Sequence, residues 1–141
     1  MKFLIMGCGR VGSGLARSLT DEGHDVTIMD IRQEAFLRLP TLFRGTAIIG
    51  SGLDLMALRR AGVEGADVFI AVTQGDNRNL MAAQVARHIF HVPRVIARVY
   101  DDSRAEIFRE LGLETLSSPR HVIGLMREMV FGQPDAQAET G

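Results

Sequence analysis

Three glycines, an arginine and an acidic residue carry the clearest chemistry in this chain. Gly7, Gly9 and Gly12 stand in the run Gly7-Cys8-Gly9-Arg10-Val11-Gly12, directly after the apolar segment Phe3-Leu4-Ile5-Met6, and Asp30 follows Gly12 by eighteen positions. This layout describes a nucleotide site. The first glycine permits a tight strand-to-helix turn, the second lets backbone N–H groups approach a diphosphate, and the third lets helix and strand pack closely. The helix that follows points its positive end at the phosphates. Asp30 ends a second strand, Asp25-Val26-Thr27-Ile28-Met29, where a carboxylate accepts both hydroxyls of an adenosine ribose. It would repel a 2′-phosphate, so an unphosphorylated ribose is expected, with Arg32 softening that preference. Ile31 and Arg32 are counted with Asp30 on this side of the site. The competing reading of Asp30 is local, as the cap of a helix beginning near Arg32.

Composition narrows the remaining chemistry. At 141 residues the chain suits one domain with a sizeable core. A net charge of −1 gives no electrostatic case for nucleic acid or for an anionic membrane surface. No apolar run approaches the roughly 20 residues of a membrane span, and the first strand leaves no room for a signal peptide, so a cytosolic protein without direct membrane insertion is expected. The single cysteine, Cys8, forbids an internal disulfide and a structural zinc cluster. At a helix N-terminus its thiol is open to two readings, a redox-sensitive group or a small residue that fits the turn. Lys2 is the only lysine, the other fifteen basic residues being arginine. There is accordingly no lysine-bearing phosphate loop, no pocket lysine for a Schiff base and no Tyr-x-x-x-Lys pair at Tyr100. Phosphate charge must be met by arginine and backbone.

The elements that position these residues alternate in type. Strand-like segments recur at Phe3–Met6, Asp25–Met29, Ala47–Ile49, Val68–Val72, Val95–Val99 and Thr115–Leu116, with helical patterns between them. Short Val- and Ile-rich runs without polar alternation predict strands covered on both faces. The fold class is α/β: a Rossmann-like, doubly wound parallel sheet of six strands with helices on both faces and a C-terminal amphipathic helix. The first helix is expected over Val11–Glu22, closed by Gly23. The longest is expected over Asn77–Phe90, with Asp76 as its N-cap and Pro93 as its stop. Residues 1–131 form the domain, 118–131 the terminal helix, and 132–141 a disordered tail.

Right-handed crossovers bring the ends of the first five strands to one edge of the sheet. That edge gathers the glycine turn, Asp30, Gly50-Ser51-Gly52, Thr73 and Arg98. Thr73 lies beside the glycine turn if the fourth strand neighbours the first, its local reading being a hydroxyl that satisfies loop backbone. Arg98, at the end of a buried strand, requires solvent or an anionic partner, met by a bound phosphate or by an acid such as Asp101.

Taken with Glu22-Gly23-His24-Asp25-Val26, Ala66-Asp67, Ala71-Val72-Thr73, Asn79-Leu80, Val92-Pro93-Arg94-Val95-Ile96-Ala97-Arg98-Val99 and Ala105-Glu106-Ile107-Phe108, these motifs resemble, in order over residues 1 to 120, the TrkA-N family. These are the KTN or RCK nucleotide-binding domains of bacterial potassium-transport regulators. The resemblance implies a domain that binds NAD(H) or an adenine nucleotide (ATP, ADP or AMP) and passes ligand state to a membrane potassium transporter or channel through subunit rearrangement. It places Gly7, Cys8, Gly9, Arg10, Val11 and Gly12 at the phosphates, Asp30 at the ribose, and Thr73, Asn79 and Arg98 along the same crevice. Two departures stand out. Gly50-Ser51-Gly52-Leu53 replaces a common Gly-Asp-Ala/Gly-Thr, and Arg120 stands where relatives often place Glu after the proline. The resemblance also implies that the further C-terminal ligand domain of many relatives is missing, as in a stand-alone regulator or a piece of a longer protein.

Val122, Leu125, Met126, Met129 and Val130 recur at helical spacing as one apolar stripe. The stripe packs either on the chain's own sheet or, as the resemblance favours, on a second subunit, in a homodimer or larger ring. The expected mechanism is differential binding without chemistry, with Arg10 sensing phosphate charge. The opposing class is a small NAD-dependent oxidoreductase or its cofactor half. No proton donor is evident on the nucleotide edge, and His88-x-x-His91 lacks further metal ligands in sequence, so no catalytic or metal residue is assigned.

Overall fold

The computed structural model describes residues 1–133. Six strands form one parallel sheet: β1 (Lys2–Met6), β2 (Asp25–Asp30), β3 (Thr46–Ile49), β4 (Val68–Ala71), β5 (Arg94–Arg98) and β6 (Glu114–Leu116). Their spatial order is β3-β2-β1-β4-β5-β6. The order reverses between β1 and β4, where β1 pairs with β2 on one side and with β4 on the other. This is the doubly wound arrangement expected from the strand pattern, with a crevice at the switch point.

The core explains why the strands lack polar alternation. On β4, all four residues of Val68-Phe69-Ile70-Ala71 are buried. Phe69 and Ala71 face one cluster with Leu4, Met6, Met29, Leu58, Leu80 and Val95. Val68 and Ile70 face the other with Ile5, Val26, Ile28 and Ala16. Helices α2 (Leu55–Arg60), α3 (Asp76–Gln84) and α4 (Asp102–Glu110) contribute to the first cluster, while α1 (Arg10–Asp21) and the 3₁₀ segment Gln33–Arg38 contribute to the second. Asp54 and Asp101 cap α2 and α4 through their carboxylates.

Two local expectations change. Asp76 is not the N-cap of α3; Gly75 is, and Asp76 occupies the first helical position. Its carboxylate instead accepts the backbone N–H groups of Tyr100 (2.9 Å) and Asp101 (3.1 Å), tying the β4–α3 turn to the β5–α4 turn. The expected single helix over Asn77–Phe90 divides as well. After Gln84 the chain widens into a π turn over Val85–Ile89, with Phe90 N–H donating to the Val85 carbonyl, and His91 then takes a positive φ of 56°. Pro93 follows, and the exit into β5 is fixed by Val92 N–H on the Ala86 carbonyl.

The last helix, α5 (Ser118–Phe131), contains no buried residue. The apolar stripe read from the sequence is exposed throughout, reaching 86% at Met129, and Ile123 and Phe131 extend it. Packing on the chain's own sheet is therefore not its role in this structure. The tail expected over 132–141 lies largely outside the described residues. None of the described helices is long and apolar enough to cross a membrane.

Candidate functional site

The C-terminal ends of the strands open onto a crevice of about 800 Å³. Its floor is the β1–α1 turn, Met6 to Val11; one wall is Asp30, Ile31 and Arg32 with Gly50, Ser51 and Gly52. The opposite wall is Val72, Thr73, Gln74, Arg78, Arg98 and Tyr100. Thirteen of the fifteen residues picked out in the sequence line this space: Gly7, Cys8, Gly9, Arg10, Val11, Asp30, Ile31, Arg32, Gly50, Ser51, Gly52, Thr73 and Arg98. Gly12 and Asn79 lie behind it.

The three glycines of the turn have different physical reasons. Gly7 has φ +110°, and a methyl group on it would meet the Val72 carbonyl and the Thr73 nitrogen at 2.9 Å. Gly12 is more severe, since a Cβ there would lie 1.8 Å from the Gly7 carbonyl oxygen. Gly9 is different: its backbone is extended (φ −87°, ψ −160°), and an added Cβ would meet no protein atom within 4 Å. The fold alone would accept a side chain there. Gly9 is also the N-cap of α1 and supplies no side-chain cap, and no acidic residue stands in the first turn. The first N–H groups of α1 thus keep their hydrogen-bonding capacity and their positive dipole end toward the crevice.

The cap reading of Asp30 is not met, and its carboxylate binds backbone N–H groups on both sides instead. One carboxylate oxygen accepts Cys8 N–H at 2.8 Å and the other accepts Arg32 N–H at 2.9 Å. The first bond clamps the glycine turn to β2. The 3₁₀ segment is capped at Arg32 without help from a side chain. Each carboxylate oxygen accepts more than one hydrogen bond, so acceptor capacity toward the crevice persists. Cys8 itself is 1% exposed, and burial, reinforced by the Asp30 charge, pushes its thiol up to about 11.

The opposite wall is held by a polar network. Asn79, 1% exposed, accepts Thr73 N–H (2.9 Å) and Thr73 O–H (2.6 Å), and donates to the carbonyls of Thr73 and Arg98, both at 2.9 Å. Its hydrogen-bonding capacity is thereby spent inside the protein, which makes it a positioning residue for the wall. The Thr73 hydroxyl also accepts Gly75 N–H at 3.3 Å. Arg98 Nη2 donates to the Val72 and Thr73 carbonyls at 3.0 Å each, and the guanidinium lies 5.9 Å from the Tyr100 ring centroid. Its Nε is buried without a partner among the described residues. The expectation that Asp101 serves Arg98 is not met: Arg98 donates to the Val72 and Thr73 carbonyls, while the Asp101 carboxylate accepts Ser103 N–H at the start of α4.

Sequence reasoning missed several lining residues: Glu34, Ala35, Arg38, Gln74, Arg78 and Tyr100. The first three come from the 3₁₀ segment, whose tight path after β2 brings them over the crevice. Gln74 and Tyr100 lie in the turns after β4 and β5, which Asp76 and Asn79 tie down, and Arg78 stands in the first turn of α3. A signal existed for Gln74 and Tyr100, since each lies one or two residues beyond a residue already assigned.

Comparison with known proteins bears on the whole chain. Residues 3–119 match the TrkA-N domain. Trk system potassium uptake protein TrkA of Streptomyces coelicolor is 48% identical over 120 residues, 85% of this chain and 54% of that protein. The TrkA homolog of Methanothermobacter thermautotrophicus is 34% identical over 134 residues, 95% of this chain and 62% of its own length. The chain therefore spans little more than half the length of these relatives. Among solved structures, the TrkA-N domain of inner membrane protein ybaL from Escherichia coli superposes with a TM-score of 0.80 at 21% identity, covering 91% of this chain and 95% of that one. The Shewanella denitrificans Kef CTD in its AMP-bound form gives 0.70 at 19% identity over 99% of this chain and 87% of that one. GsuK bound to ADP gives 0.76 at 20% identity over 92% of this chain and 34% of that one. At such identities the structural likeness speaks to the fold, and the assignment rests on the sequence match: the chain belongs to the TrkA-N domain family.

Proposed function

We propose that this chain is the nucleotide-sensing part of a regulator of potassium transport, binding NAD(H) or an adenine nucleotide and acting on a membrane transporter or channel subunit as a peripheral partner. The observation that carries the reading is Gly9. Gly7 and Gly12 are demanded by the packing of the protein, whereas nothing within the fold demands a glycine at 9. A diphosphate approaching the uncapped N-terminus of α1 would demand it. The residues present fit such a ligand: free N–H groups at the turn, Asp30 for ribose hydroxyls, and guanidiniums around the phosphate path. The bound AMP and ADP in the Kef and GsuK structures and the TrkA relatives support the same assignment.

The role is regulation by binding. Ligand shifts the geometry of an assembly only by the difference in its affinity for two states. We take that assembly to be a homodimer, alone or within a larger ring, built through α5, because the helix projects an apolar surface that none of the other described residues buries. Among the described residues no histidine lines the crevice, so a hydride-transfer reaction would have to draw its proton from Tyr100 or Glu34. A redox role for Cys8 is disfavoured by a buried, protonated thiol.

Three outcomes test these statements. Gly9→Ala is expected to cost no more than about 1 kcal/mol, the scale of alanine at an N-cap, while abolishing the nucleotide-induced rise in melting temperature. In the wild type, ligand at about 100 times Kd stabilises by roughly 2.7 kcal/mol, a shift on the order of 8 °C for a chain of this size. Undiminished shifts in Gly9→Ala would remove the phosphate-turn assignment. Light scattering after size exclusion at micromolar concentration is expected to give at least twice the 15.5 kDa chain mass, and Leu125→Glu with Met129→Glu to reduce it to the monomer. A monomeric wild type would refute the dimer. At pH 8, iodoacetamide is expected to leave Cys8 unmodified in the folded chain and to alkylate it fully in denaturant; rapid alkylation of the folded protein would reopen the redox reading.

A further inference from the structure

With phosphates on the β1–α1 turn and a ribose at Asp30, at the end of β2, the base of a nucleotide continues in the same direction and reaches the end of β3. That strand neighbours β2 in the sheet, with Ile49 in register with Asp30, and Gly50 N–H donates to the Asp30 carbonyl at 3.0 Å. The stretch that meets the base is therefore Gly50-Ser51-Gly52, which lines the crevice. Both glycines there answer to the interior of the protein. A Cβ at Gly50 would lie 2.9 Å from the Ala57 Cβ, and one at Gly52 would overlap Met6 Sδ. Ser51 supplies the single side chain of the stretch.

A tight turn holds its hydroxyl in place. Ser51 Oγ accepts Leu53 N–H at 3.1 Å, and the Ser51 carbonyl accepts Asp54 N–H at 3.0 Å. The oxygen keeps a second lone pair and a rotatable O–H, so the same group accepts from an amine or donates to a carbonyl. The two purines differ in that respect at position 6, where adenine carries a donating amino group and guanine an accepting carbonyl. A hydroxyl serves both, whereas a carboxylate serves the amino group alone. Glu34 and Arg38 line the same end of the crevice and add an acceptor and a forked donor. An arginine fork matches guanine O6 and N7, so this end holds nothing that rejects guanine.

Resting on the nucleotide reading above, we propose that Ser51 sets the base specificity of the crevice and leaves it open to both purines, so that guanine nucleotides bind alongside adenine nucleotides. The ribose and phosphate contacts, which the two share, supply most of the affinity.

Isothermal titration of the chain with ATP, GTP and NADH, repeated with Ser51→Asp, tests this. Aspartate preserves the turn, because one carboxylate oxygen takes over the Leu53 N–H, and it replaces the rotatable O–H by an oxygen that only accepts. In the wild type, GTP is expected to bind within about tenfold of ATP; in Ser51→Asp, the GTP-to-ATP affinity ratio is expected to fall by a further factor of about ten, the scale of one carbonyl left facing an acceptor. Three results overturn the inference while leaving the nucleotide reading in place. They are a wild type that binds GTP more weakly than that bound, a wild type that binds NADH but neither triphosphate, and equal weakening or no weakening of ATP and GTP in Ser51→Asp. If the wild type binds none of the three ligands, the nucleotide reading itself falls and this inference with it.

Discussion

Helix α1 reaches the sheet because no side chain stands at Gly12. A methyl group there would overlap the Gly7 carbonyl oxygen at 1.8 Å, and one at Gly7 would press on the Val72–Thr73 peptide at 2.9 Å. The N-terminus of α1, the end of β1 and the end of β4 are thereby wedged into a single junction. Everything on the crevice follows from that junction. It aims the unpaired N–H groups of the turn outward, sets Asp30 within reach of Cys8 N–H, and brings the β4 wall against the turn. An interior packed at crystal density does not yield to an added methyl at such a point.

The wall opposite Asp30 is rigid for a separate reason. Asn79 and Arg98 together cross-link the backbone at Val72, Thr73 and the end of β5, and Asp76 extends the link to the start of α4. Buried polar networks whose members are satisfied rigidify a structure and specify one arrangement. Arg98 Nε is the unsatisfied member among the described residues. A ligand reaching the β4 wall therefore acts on a connected unit that runs to α4, away from the turn where its phosphates would lie. Such a connection suits a domain whose proposed output is a change in subunit geometry.

Much of this was legible in sequence because the relevant constraints are local. The three glycines and Asp30 fix their own backbone and neighbours, so spacing alone placed them together. The central strands declared a parallel sheet through the absence of polar alternation, whereas the edge strands β3 and β6 contain no buried residue, contrary to the expectation of cover on both faces. Other features depend on contacts distant in sequence. The role of Asp76 is set by Tyr100 and Asp101, twenty-four and twenty-five residues away, so propensity read it as an ordinary cap. Asn79 carries the same polar character as a ligand contact, and burial alone reveals that its bonds are internal. The 3₁₀ segment after β2 gave no strong periodic signal, which is why Glu34 and Arg38 were missed. The π turn at Val85–Ile89 has no sequence signature that separates it from a continuing helix.

The central claim is that a nucleotide lies on the glycine turn, against the N-terminus of α1. Amide hydrogen exchange with and without saturating ATP tests it residue by residue, because helix geometry leaves the N–H groups of Gly9 to Gly12 without intrahelical partners. Exchange is expected to slow at residues 9–12 on binding, with slower exchange also at 30–32 as the ribose engages Asp30. Binding that leaves residues 9–12 unprotected, with protection elsewhere on the domain, would contradict it.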